Sequence, residues 1–157
     1  MKPNIEISEN NLKEVATLLN NLLADEYVLY TKTRNAHWNI QGLHFIELHE
    51  FFETQYDEID LMMDAIAERV RSLGHYALGS LKDFLSITHL TEEHHDFSNQ
   101  QQIIQSLLND HETIIRLLRR NIATITEKNK DAGTGDFITG IMEQHEKMAW
   151  MLRAQIS

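Results

Sequence analysis

From about residue 10 to residue 38, Leu12, Val15, Leu19, Leu22, Leu23 and Val28 recur three and four positions apart with polar residues between them, so one face of a helix is apolar and the other wet. That run ends before Asn39-Ile40-Gln41-Gly42, whose glycine suits a helix stop. A second run, 44–73, sets Phe45, Leu48, Phe52, Ile59, Met62, Met63, Ile66 and Val70 on one face and stops at Gly74. A third, 98–128, carries Ile103, Ile104, Leu107, Leu108, Ile114, Ile115, Leu118 and Ile122, with Ser98 as its predicted N-cap. A fourth, 136–155, carries Phe137, Ile141, Met142, Met148, Met151 and Leu152, and the stretch Asn129 to Gly135 is expected to separate it from the third. The only proline is Pro3, so nothing beyond it forces a break. No period-two alternation or internal repeat competes with the helical pattern.

Between Gly74 and Phe97 the periodicity lapses, apart from a short helix expected around Leu81-Lys82-Asp83-Phe84-Leu85. A connection that long lets the third helix run parallel to the second. The predicted fold is therefore all-α: a ferritin-like four-helix bundle with a short extra helix in the long connection. With 157 residues and 42% apolar composition, 1–157 reads as a single domain. No stretch approaches the apolar length needed to span a bilayer, and the first residues are polar rather than a basic start followed by an apolar run. A soluble, cytoplasmic protein is expected.

Within this pattern stand His37, His49, Glu53, Asp64 and Glu68, all metal-ligand types, separated by gaps of twelve, four, eleven and four residues. A gap of four stacks two side chains on one helix face, so Glu53 belongs with His49 and Glu68 with Asp64. At about 1.5 Å per residue, Glu53 and Asp64 lie roughly 16 Å apart along one helix. No single ion spans that distance. If the two pairs share a metal, the second comes from another copy of the chain, antiparallel across a two-fold axis. The chain has no cysteine, so any metal is held by imidazole and carboxylate, a donor set suited to iron, manganese or zinc. Fourteen basic against twenty-four acidic residues give a net charge of −10, which attracts cations and repels phosphate backbones. DNA binding is not expected.

The stretch His37-Trp38-Asn39-Ile40-Gln41-Gly42, then Phe45, Leu48-His49-Glu50, Tyr56, Asp64, Ala67-Glu68-Arg69 and Leu73-Gly74, resembles the signature of the Dps mini-ferritins. Ala77-Leu78-Gly79 and the terminal Glu146-Lys147-Met148-Ala149-Trp150-Met151-Leu152 continue the likeness. The resemblance implies a hollow shell of twelve subunits that oxidises iron(II), typically with hydrogen peroxide and otherwise with O2, and stores ferric mineral, protecting against oxidative stress. It also implies a ferroxidase centre in which His37, His49 and Glu53 of one subunit face Asp64 and Glu68 of its partner. Many members carry Asp where this chain has Glu53; the longer arm keeps the carboxylate but bears on metal–metal spacing. DNA-compacting members usually carry a Lys-rich terminal tail, whereas here Lys2 is the only cation before the first helix, so protection is expected through removal of iron and peroxide.

Trp38 is a candidate electron donor to stray oxidants beside such a centre, against an ordinary packing role. Glu50, Asp57 and Asp60 extend the acidic rows of the second helix as candidate nucleation sites, against a solvated face. Asp131 and Asp136 are candidate pore carboxylates, and Asp136 also a candidate N-cap for the fourth helix. His111 and His145 interrupt apolar stripes and are expected to be hydrogen-bonded core histidines. The string Glu92-Glu93-His94-His95 is expected to be surface polarity.

Overall fold

A computed structural model describes residues 3–92 and 96–157. Helix α1 spans Glu9–Asn39, α2 Phe45–Ser72, α3 Leu81–Ile87, α4 Gln100–Ala123 and α5 Ala132–Gln155, and one π-helical turn, Thr124–Lys128, extends α4. Among the described residues there is no strand, and no helix is long and apolar enough to cross a membrane. The residues His94 and His95, and Glu93 beside them, lie outside the described residues, as does Lys2.

Side-chain pairings fix the helix directions. His37 meets His49 and Tyr30 meets Tyr56, so α1 and α2 are antiparallel. Glu14 pairs with Lys128 and Lys32 with Asp110, so α1 also runs against α4. Glu112 pairs with Arg153 and Arg119 with Glu146, which sets α4 against α5. Helices α2 and α4 therefore run parallel, and the segment between them, with α3 packed on α1 through Phe84 stacked on Tyr27 (4.6 Å between ring centres), crosses the length of the bundle. The apolar stripes read from the sequence meet along the axis: Leu12, Leu19, Leu29, Phe52, Ile59, Ile66, Ile103, Ile114 and Leu118 are fully buried. Burying an aliphatic or aromatic side chain of this size contributes about 1.5–3 kcal/mol, which makes this seam the main source of stability.

One polar chain runs through that seam. His145 Nε2 lies 2.7 Å from Glu26 Oε1, and His145 Nδ1 lies 2.9 Å from His111 Nδ1, with all three residues fully buried. Burial, and then the charge of His145, hold His111 well below the ordinary imidazole range, so it stays neutral. Both histidines are thus bonded within the core.

Two helix starts differ from the sequence expectation. Ser98 does not cap α4: its amide and hydroxyl both turn back to Asp96 Oδ1, and Asn99 caps instead by accepting from the Gln102 amide at 3.1 Å. Helix α5 begins at Ala132, not 136, because Asp131 takes the cap, accepting from the Thr134 amide (2.9 Å) and hydroxyl (2.5 Å). Asp136 is consequently an exposed residue inside the helix. Gly133 and Gly135, part of the stretch expected to separate the helices, are accommodated in the first turn, and Gly135 serves the packing: a Cβ there would overlap Thr126 Oγ1 on the π turn. Gly135→Ala is expected to cost about 1–3 kcal/mol through that overlap, and Thr126→Ala in the same chain to recover most of the loss. Urea denaturation of the parent, the single variant and the double variant checks this; a stable single variant contradicts it.

Candidate metal centre

The geometry is set by how α1 ends. Ile40 still donates to the Ala36 carbonyl at 2.9 Å, but the next amide, Gln41, turns away to the Phe97 carbonyl at 3.0 Å. The His37 carbonyl is thereby left without its helical partner. Gly42, at φ 117°, reverses the chain into α2 and brings His49 alongside. His49 Nδ1 donates to the His37 carbonyl at 2.9 Å, and His37 Nδ1 donates to the His49 carbonyl at 2.8 Å. The rings stack with centres 3.8 Å apart and planes 20° from parallel. Carbonyl oxygens only accept, so both Nδ1 atoms carry a proton, and in the neutral ring it is Nε2 that presents the lone pair. This is the state a metal-binding imidazole needs.

Glu53, one turn beyond His49, completes a trio whose donor atoms all lie within 4.8 Å of one another. His37 is buried, His49 half-buried and Glu53 exposed, so the trio is open on its carboxylate side. The Tyr56 hydroxyl donates to Glu53 Oε1 at 3.4 Å, and the Tyr56 ring stands edge-on to His37. Burial, followed by the negative charges of Glu53 and Asp57, pushes the Tyr56 phenol upward, which keeps it a donor. Two imidazoles and a carboxylate with open positions fit iron, manganese or zinc.

Asp64 and Glu68 are exposed on the same helix, roughly 16 Å and more from Glu53 at 1.5 Å per residue. Three of the five candidates thus come together within the chain and two do not. Glu50, Asp57 and Asp60 are exposed along α2, and Trp38 is exposed beneath the Arg34 guanidinium at 4.9 Å. Asp131 is buried, its oxygens engaged by Thr134 and by Arg69 Nη2 at 3.5 Å. Its carboxylate is a helix cap tied to the end of α2 rather than a group facing solvent. Sequence reasoning passed over Arg34 and gave Tyr56 no role. Their spacing offered the signal: Arg34 precedes His37 by three residues, and Tyr56 follows Glu53 by three, each on the ligand's own helix face.

A family model for the ferritin-like domain matches residues 16–157. The chain is similar to an uncharacterized low temperature-induced protein of Nostoc sp., 42% identical over 98% of this chain and 86% of that one. It is also similar to DNA protection during starvation protein 2 of Bacillus anthracis, 34% identical over 90% of this chain and 96% of that one. Among solved structures it resembles a Dps protein from Vibrio cholerae O1, described as a member of a broad superfamily of ferritin-like diiron-carboxylate proteins. The match has 31% identity and a TM-score of 0.91, covering 100% of this chain and 98% of that one.

The exchanged hydrogen bonds generate a spectroscopic expectation. In metal-free protein labelled with 15N-histidine at about pH 8, where an ordinary imidazole is neutral, His37 and His49 should both appear as the Nδ1–H tautomer. An Nε2–H signal for either ring contradicts the proposed lone-pair orientation.

Proposed function

Since the chain belongs to the Dps family of ferritin-like proteins, we propose that it is an iron storage and detoxification protein, a ferroxidase whose site is shared between two subunits of a cytoplasmic, twelve-subunit shell. The observation that carries this reading is the locked pair His37 and His49 with Glu53, three ligands in reach of one ion, while Asp64 and Glu68 are too distant to join them within one chain. A neighbour placed across a two-fold axis supplies the second pair to each of two equivalent sites.

Iron(II) is the substrate. Its carboxylate and imidazole ligands neutralise the charge that grows on oxidation, and the open side of the trio admits the oxidant. Two iron(II) ions each give one electron to hydrogen peroxide; the O–O bond breaks, and two protons from solvent complete two waters. Delivering both electrons together avoids releasing a hydroxyl radical. A net charge of −10 concentrates cations at the surface, and exposed Glu50, Asp57 and Asp60 are assigned to mineral nucleation and exposed Asp136 to iron entry. The DNA protection named for the Bacillus anthracis relative is assigned here to removal of iron and peroxide, since the net charge opposes phosphate contact.

Mixed assemblies test the shared site. His37→Ala/His49→Ala and Asp64→Ala/Glu68→Ala homomers should each lose rapid iron(II) oxidation by peroxide. Co-assembled, a mixed dimer joins intact histidines to intact carboxylates at one of its two sites, and activity should return in part. Inactive particles despite confirmed mixing would sink the shared-site reading.

A further inference from the structure

Arg34 lies one turn before His37 and is surrounded by rings. Its guanidinium carbon sits 4.9 Å from the centre of Trp38, 5.0 Å from Tyr56 and 5.5 Å from Tyr30. Nη1 donates to the Tyr30 hydroxyl at 2.6 Å, and Nε is buried with no acceptor among the described residues. Tyr30 meets Tyr56 edge to face at 5.9 Å, and Tyr56 in turn touches His37 and Glu53. The cage is therefore continuous with the metal-binding trio: three oxidisable rings stand beside it, and one fixed cation stands over all three.

A cation over an aromatic face is attracted to the neutral ring. It repels the positive charge left when the ring loses an electron. We propose that Arg34 is a positioning residue that raises the threshold for one-electron oxidation of Trp38, Tyr30 and Tyr56, so that oxidising equivalents formed at the trio are spent on iron rather than drained into the protein. Trp38 then yields slowly to moderate oxidants and readily only to one as strong as a hydroxyl radical. The radical takes one electron and the indole Nε1 proton, becomes water, and leaves a neutral indolyl radical. The protective purpose rests on the ferroxidase reading, but the threshold itself is a property of the iron-free chain, so the two fail separately.

The test uses metal-free protein carrying Trp150→Phe, which leaves Trp38 as the only indole of the two in the sequence. Oxidation by photogenerated tris(bipyridine)ruthenium(III) is followed through the indolyl radical absorption. Trp38, 62% exposed in the single chain, should react more slowly than N-acetyltryptophanamide at equal oxidant concentration. Arg34→Gln should accelerate the reaction about tenfold by removing the charge. Arg34→Lys, which keeps the charge, should stay near the parent rate. A parent rate equal to that of the free amide, an unchanged rate in Arg34→Gln, or a lysine variant as fast as the glutamine variant overturns the proposal.

Discussion

The exchange of two hydrogen bonds between the end of α1 and the start of α2 is the constraint on which the rest of the centre depends. Each histidine gives its Nδ1 proton to the other's carbonyl, so ring orientation, tautomer and helix separation are fixed by the same pair of contacts. The exchange requires a free carbonyl at His37, which exists only because Gln41 is drawn away to Phe97, in the connection that leads to α4. The metal-binding geometry therefore depends on the long crossover as well as on the two helices that carry the ligands.

The bundle around this lock divides its tasks by depth. Its apolar seam holds the four long helices at fixed spacing, and Glu26, His145 and His111 tie α1, α5 and α4 together inside it. At the far end of α2, Arg69 reaches the Asp131 cap of α5 through Thr134 at 3.0 Å, which steadies the helix end that carries Asp64 and Glu68. The two candidate ligand pairs thus sit on one stiff helix, too far apart for one ion.

The helices and the grouping of His37, His49 and Glu53 were legible in the sequence because both signals are periodic: apolar residues every three or four positions, and candidate ligands four apart on one face. The cap of α5 was not, because Asp131 and Asp136 are equally good cap residues by type, and the choice was made by Thr134, which bonds Asp131 twice, and by the close approach of Gly135 to Thr126. Ser98 was misleading for a similar reason, since Asp96 two residues earlier competes for its hydroxyl. The Arg34 cage was hidden because it joins residues of two helices through ring faces, a relation that one-dimensional spacing does not display.

The central claim is that one metal position is built by two chains. Crystals of the assembled protein soaked with iron(II) and measured at the iron absorption edge test it directly. The account predicts anomalous density bounded by His37, His49 and Glu53 of one subunit and by Asp64 and Glu68 of its neighbour. Iron held entirely within one chain, or an empty trio beside iron bound elsewhere, would contradict it.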